Sequence, residues 1–279
     1  MDFFSAIFLG LVQGLTEFLP ISSSAHIRIF GEFLDGAKDP GARFTAITQI
    51  GTELAVLIYF RKDIAAILRS WFGQAVQRKE LVGEAKSQAR MGWLIVIGTI
   101  PIVVLGYLGS DIIENNLRSL WLIATTLIIF GVILGLADTY GKRERTLEQL
   151  SNRDGVLYGA AQALALMPGV SRSGATIAMG RFLGYKREAA LRYSFLLAVP
   201  AVFGSGFYEL KQAMDDSTVS VYSMPEILAA TVTAFLIGYA VIAWLMKFIS
   251  TRSFMPFIIY RIALGSGILI LLATGVINA

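Results

Sequence analysis

Gln13-Gly14-Leu15-Thr16-Glu17-Phe18-Leu19-Pro20-Ile21-Ser22-Ser23-Ser24-Ala25-His26 lies inside an apolar stretch, residues 3–27, that is long enough to cross a bilayer but is interrupted at its centre. Gln13 and Glu17 stand four residues apart, so they share one face of a helix that Pro20 ends. Serines placed just after such a break can cap the next helix, whose N-terminus offers free N–H groups and a partial positive charge. His26 falls four residues after Ser22 and three after Ser23, which lets it face back toward the serines. A second apolar stretch, residues 155–180, has the same build: Pro168-Gly169 breaks it and Ser171-Arg172-Ser173-Gly174 follows.

The two stretches align without gaps. Gln13 falls on Gln162, Leu15 on Leu164, Ser22 on Ser171 and Ser24 on Ser173, and Arg172 takes the place of Ser23. The match runs on through Arg43 and Arg192, Phe44 and Tyr193, and Thr45 and Ser194. Six apolar segments that qualify as spans lie between and beyond these stretches, at about 44–60 (interrupted by Glu53), 92–109, 119–137, 193–208, 227–246 and 262–279. Each half then holds one broken segment and three spans. An odd number of crossings inserts the second half upside down relative to the first. The expected architecture is an all-α polytopic membrane protein with an inverted-topology repeat, six transmembrane helices and two broken re-entrant segments. The expected single domain, 1–279, divides into repeat 1 (about 1–137), a cytoplasmic linker (138–154) and repeat 2 (about 155–279).

Charge placement gives the orientation. The 61–91 connection carries seven basic residues, and 138–154 and 181–192 carry four each. The 110–118 connection has only Arg118, and 209–226 has Lys211 against Glu209, Asp215, Asp216 and Glu226. The positive-inside rule puts the basic connections in the cytoplasm. Both flanks of 155–180 are then cytoplasmic, so that segment enters and returns; a full span with one basic loop outside is the alternative.

Composition agrees and excludes other classes. The chain has 279 residues, 55% hydrophobic and 16% charged, with mean hydropathy +0.64. A soluble domain holds about 25% charged residues, so a soluble enzyme, a disordered chain and a fibrous protein are excluded. The net charge of +4 reads as membrane topology, and no nucleic-acid partner is expected. With no cysteine and one histidine, neither a thiol nucleophile nor a zinc site of the His/Cys type has its ligands. Met1-Asp2 leads straight into apolar residues, so no cleavable leader is expected.

Inverted repeats place ligand sites where broken half-helices meet. Two helix N-termini, several hydroxyls and Arg172 would converge there, which makes an anion site with phosphate as the natural occupant. Glu17, Glu53 and Arg172 at membrane depth are costly unless they pair or bind something; an arginine there costs roughly 2.5–3.5 kcal/mol on the lenient scale. A structural Glu17–Arg172 ion pair and a core histidine are the bland alternatives. Arg261 is expected to be an interface or packing arginine and not a site residue. Gly131 and Gly135 read as a small-residue helix contact, with which a homodimer is compatible.

The Gln13–His26 stretch, together with Pro168-Gly-Val-Ser-Arg172-Ser-Gly-Ala-Thr176, resembles the two signature motifs of the bacterial undecaprenyl-diphosphate phosphatases, the bacitracin-resistance family. The likeness extends to Gln49-Ile-Gly-Thr, Phe195-Leu-Leu-Ala-Val-Pro200 and Phe257-Ile-Ile-Tyr-Arg261. The resemblance implies a cell-membrane enzyme, with its site open to the outer face, that removes the terminal phosphate of undecaprenyl diphosphate and returns the monophosphate carrier to peptidoglycan synthesis. It implies Glu17, Ser23, His26 and Arg172 as catalytic residues and a divalent cation, Mg²⁺ or Ca²⁺. Gln13, Ser22, Ser24, Gln49, Ser171, Ser173 and Thr176 are the candidate substrate-binding residues. The first acidic position of the motif is glutamate in some members and Gln13 here, so Glu53 is the expected second carboxylate and, with Glu17, the expected metal ligand. Ser23 is the candidate nucleophile, with His26 taking its proton or protonating the leaving oxygen and Glu17 orienting His26 or binding the cation. Direct attack by an activated water is the rival path. A transporter or flippase for an anionic lipid or solute is the rival function.

Overall fold

The computed structural model describes residues 3–33, 41–109, 113, 117, 119–215 and 222–277. Arg118 and Asp216, which entered the charge reading of the outer connections, lie outside them. The α-helices, in chain order, are α1 (Phe3–Thr16), α2 (Ser23–Phe33), α3 (Gly41–Tyr59), α4 (Arg61–Ala75), α5 (Gly83–Leu108), α6 (Leu120–Tyr140), α7 (Asn152–Ala163), α8 (Arg172–Phe182), α9 (Arg187–Asp215), α10 (Met224–Thr251) and α11 (Met255–Ala273). Among the described residues there is no strand, only an isolated bridge between Arg145 and Tyr185.

Local chemistry sets several of these boundaries. Ser151 and Asp154 form a reciprocal capping box that starts α7, with the Asp154 N–H donating to Ser151 Oγ at 3.2 Å and the Ser151 N–H donating to Asp154 Oδ2 at 3.0 Å. Glu226 accepts the Ser223 N–H at 2.7 Å, and Pro225 follows in the first turn of α10. Each of the six expected spans falls largely within a helix. The last differs most: α11 begins at Met255, earlier than expected, because Pro256 suits a first helical turn. It ends before Gly275, whose φ of 71° lies in the left-handed region.

Among the described residues, five helices are long and apolar enough to cross a membrane: Gly83–Leu108, Leu120–Tyr140, Arg187–Gln212, Met224–Thr251 and Met255–Ala273. The sixth expected span, 44–60, forms α3 but is not among them. Thr45, Thr48, Gln49, Thr52 and Glu53 lower its hydropathy, and Thr48, Thr52 and Glu53 are fully buried. Its polar side is turned into the protein, against α9 and α10.

The first helix ends at Thr16, four residues ahead of Pro20, so Glu17 lies just beyond it and not within it as expected; the second stretch is interrupted at 164–171, around Pro168-Gly169 as expected. The alignment of the two stretches is kept in the backbone. Ser23–Phe33 and Arg172–Phe182 are both 11-residue helices, and each follows a serine in the left-handed region, Ser22 (φ 73°) and Ser171 (φ 69°). The packing is exchanged between halves: α1 lies on α10, and α7 lies on α5. Both contacts need glycine. A Cβ on Gly10 would strike the Ala230 backbone, and one on Gly159 would lie 2.7 Å from the Gly98 Cα. Phe18, Ile21, Phe60, Ile177, Phe195 and Ile258 belong to one buried cluster that surrounds the breaks, with Phe18 edge-on to Phe195 at 5.2 Å.

Candidate functional site at the two helix breaks

Glu17 lies in the turn after α1, and its two carboxylate oxygens serve different partners. Oε2 accepts from Gln13 Nε2 at 2.7 Å, as the shared helix face requires, and from the hydroxyl of Ser23, the first residue of α2, at 2.5 Å. Gln49 Nε2 reaches the same oxygen at 3.4 Å from α3. Oε1 accepts from Arg172 Nη2 at 2.5 Å. Arg172 is the first residue of α8, and its Nη2 also donates to Glu53 Oε1 of α3 at 3.0 Å. Its Nη1 reaches the Ala198 carbonyl of α9 at 3.5 Å.

The Glu17 and Glu53 side chains are 3% and 1% exposed and that of Arg172 is 14% exposed. Desolvation at this depth is offset only by close pairing, which the triad provides. Two carboxylates and one guanidinium leave one negative charge if all three are ionised. Two oxygens nearby, Glu53 Oε2 and Gln13 Oε1, are buried with no donor among the described residues.

The second motif is tied to the first. Ser171 caps α8 by accepting the Gly174 N–H at 3.1 Å, and its Oγ lies 3.2 Å from that of Ser173, as Ser22 Oγ lies 3.3 Å from that of Ser24. Ser173 donates across the break to the Leu19 carbonyl at 3.1 Å. Thr176 does not join the cluster: its hydroxyl is engaged by the Arg172 carbonyl at 2.7 Å and by Ser194 Oγ at 2.5 Å.

His26 is placed differently from the expectation. Its Nδ1 is 2.7 Å from the main-chain carbonyl of Ser22, and its Nε2 is 2.8 Å from the Tyr260 hydroxyl of α11. Ser23 Oγ donates to Glu17, and Glu17 is bonded to Gln13, Ser23, Gln49 and Arg172 rather than to the imidazole. The one-turn spacing that brings His26 back toward Ser22 reaches the carbonyl because α2 has already begun there. Neighbouring Arg261 is fully buried and, among the described residues, bonds to carbonyls alone: Leu127, Pro20, Gly169 and Val170, at 2.9 to 3.2 Å. It joins the first break to the second, which is the packing role expected of it.

The family description "Bacitracin resistance protein BacA" matches residues 6–267. The chain belongs to the BacA family. It is 61% identical over 280 residues to a Micrococcus luteus protein named undecaprenyl-diphosphatase, covering the whole of both chains. A protein of that name from Pseudarthrobacter chlorophenolicus is 57% identical over 280 residues, again covering both chains entirely. Undecaprenyl-diphosphatase 2 of Agrobacterium fabrum is 56% identical over 279 residues, all of this chain and 99% of the relative. With its five apolar spans, this BacA-family chain is a multi-pass membrane protein.

Two contributors to the site in this BacA-family chain escaped sequence reasoning. Tyr260 reaches His26 across 234 residues, and the Ala198 carbonyl reaches Arg172 across 26. No periodicity marks such contacts, since an aromatic or an alanine on an apolar span reads as lipid-facing or core. The signals available were the family likeness of the Phe257–Arg261 and Phe195–Pro200 stretches, which contain Tyr260 and Ala198 without giving either a role, and the place of Tyr260 beside Arg261, a charge inside an apolar segment.

Proposed function

We propose that this protein hydrolyses undecaprenyl diphosphate to undecaprenyl phosphate and inorganic phosphate, as an acid anhydride hydrolase of the bacterial cytoplasmic membrane. The observation that carries the reading is the divided carboxylate of Glu17, which holds the Ser23 hydroxyl with one oxygen and the Arg172 guanidinium with the other. A nucleophile, its base and an anion-binding cation are thereby assembled at two helix N-termini. Family membership and the names of the relatives support the same reaction, and the transporter reading is not favoured.

Ser23 Oγ attacks the terminal phosphorus and its proton passes to Glu17 Oε2, while the bond from phosphorus to the bridging oxygen breaks and undecaprenyl phosphate leaves. Water then attacks the phosphoserine phosphorus and the bond to Ser23 Oγ breaks: the water oxygen stays on the departing phosphate, its displaced proton leaves to solvent, and Glu17 returns its proton to Ser23 Oγ. The short Ser23–Glu17 contact makes Glu17 the base in this scheme and leaves His26, once a proton reaches its Nε2, for the leaving-group side. Arg172 and the free N–H groups of α2 and α8 hold the phosphoryl oxygens and stabilise charge in the transition state. Trapped phosphate on the wild type, absent from Ser23→Ala, distinguishes this path from direct attack by water.

Glu17 and Glu53, with Gln13 Oε1, are the residues that would hold a divalent cation. The buried unpartnered oxygens of Glu53 and Gln13 suit Mg²⁺ or Ca²⁺, whereas both Glu17 oxygens would have to share their present donors with the ion; one or two carboxylates completed by substrate phosphates is a usual Mg²⁺ ligand set. Among the described residues no group of three or more His, Cys, Asp or Glu could cage a metal unaided. Such an ion supplies neutralisation of phosphate charge when bound. A residual negative charge on the triad would otherwise oppose an anionic substrate.

The inverted-repeat insertion, a site open to the outer face, a role in recycling the peptidoglycan carrier, bacitracin resistance and a homodimeric state belong to the same proposal. Its test is phosphate release from undecaprenyl diphosphate by detergent-purified protein, with and without Mg²⁺, beside Arg172→Ala. Metal-dependent turnover that a folded Arg172→Ala loses is the expected result. Absence of turnover from well-folded wild type would sink the reading.

A further inference from the structure

Both nitrogens of His26 are committed, and the partners fix which one carries the proton. The Ser22 carbonyl can only accept, so Nδ1, 2.7 Å away, must be the N–H donor. Nε2 of the neutral ring is then an acceptor, and the Tyr260 hydroxyl, 2.8 Å away, donates to it. The two rings lie nearly parallel, 11° apart with centroids at 5.6 Å, so Tyr260 also limits rotation of the imidazole. Tyr260 is 43% exposed while His26 is 3% exposed, so the ring meets its surroundings through the tyrosine. The next residue, Arg261, is locked to both breaks and to α6 by its four carbonyl bonds, which fixes the register of α11 against them.

We propose that Tyr260 is a positioning residue for His26, holding the imidazole as the neutral Nδ1–H tautomer with Nε2 directed at the tyrosine hydroxyl. Its consequence for turnover rests on the phosphatase reading. A hydroxyl is both donor and acceptor, so Tyr260 satisfies Nε2 whether or not that nitrogen is protonated. Phenylalanine keeps the ring and removes only this bond.

The chain has a single histidine, so ¹⁵N-histidine labelling of the full-length protein in detergent gives one imidazole to observe. The expected spectrum has a protonated Nδ1 and an unprotonated Nε2 at neutral pH, and Tyr260→Phe shifts the Nε2 resonance or mixes the tautomers. In turnover, Tyr260→Phe is expected to lower kcat about tenfold, the size of one lost hydrogen bond to a functional group, with KM held within about twofold. In a His26→Ala background it is expected to add no further loss. A wild type protonated at Nε2, an imidazole spectrum indifferent to Tyr260→Phe, or losses that multiply in the double variant would each overturn the proposal. The spectrum needs no activity, so failure of the phosphatase reading would show as missing turnover beside an intact His26–Tyr260 signature.

Discussion

Ser23 and Glu17, six residues apart on opposite sides of a helix break, share a 2.5 Å hydrogen bond that neither helix alone could form. α1 ends at Thr16, ahead of Pro20, and Ser22 takes a left-handed φ of 73°, so the first residue of α2 meets the turn just after α1. Glu17→Gln keeps the shape and can still accept from Ser23, but it removes the base and the charge that holds Arg172. The expected loss in kcat is about 10²–10⁴-fold, with protein still folded by size-exclusion chromatography. Wild-type rates from Glu17→Gln would remove Glu17 from the chemistry.

Glu53→Gln tests the second carboxylate. Its Oε1 partner, Arg172, can still donate to an amide oxygen, so the fold is expected to persist. The Mg²⁺ concentration for half-maximal phosphate release is expected to rise about tenfold or more, since a neutral amide is a weaker ligand for a hard cation. An unchanged metal titration would assign Glu53 to holding Arg172 only.

Arg261→Met is expected to destabilise the protein by about 3 kcal/mol or more. It strands buried carbonyls at Leu127, Pro20, Gly169 and Val170, each costing on the order of 1 kcal/mol or more when unpaired. The midpoint of thermal unfolding in detergent measures this. A midpoint equal to wild type would mean that the two breaks are held together by other contacts.

Gly169→Ala is expected to be more damaging than most glycine substitutions. Gly169 has a φ of 91°, and a Cβ there would overlap Thr126 Oγ1 and lie 2.7 Å from the Ile123 carbonyl. The left-handed backbone alone costs about 1–2 kcal/mol for an L side chain, before any clash. The check is yield and thermal midpoint against Gly204→Ala, where a Cβ meets nothing within 4 Å.

Asp154, at the start of α7 and outside the apolar spans, provides a pH test. Burial opposes its charge, but hydrogen bonds from Arg145, Tyr185 and Ser151 outweigh it and hold the carboxyl at about 2, against an ordinary value of 3.8. A depressed carboxyl binds fewer protons folded than unfolded. Its contribution, about 2 kcal/mol, is therefore present above about pH 4 and lost as pH falls toward 2. Thermal midpoints of wild type should fall through that window, and Asp154→Asn should start lower and lose this part of the slope.

The sequence by itself determined the class and the punctuation of this chain. Long apolar runs exclude a soluble fold, and Pro20 and Pro168-Gly169 break two of them in register because proline and glycine act on the local backbone. Spacing alone put Gln13 on the same face as Glu17, and residue chemistry alone marked Glu17, Glu53 and Arg172 as charges needing partners. Only the tertiary structure decided which partners those were. It gave Glu17 to both Ser23 and Arg172, turned the polar side of α3 inward so that Glu53 reaches Arg172, and gave His26 to the Ser22 carbonyl and Tyr260 instead of the Ser23 hydroxyl. Helical periodicity reports neighbours within a turn or two, whereas these pairings depend on how α2, α3, α8 and α11 are rotated against one another. That rotation is set by packing of the whole bundle, through contacts such as Gly10 on Ala230 and Gly159 on Gly98, and no local pattern encodes it.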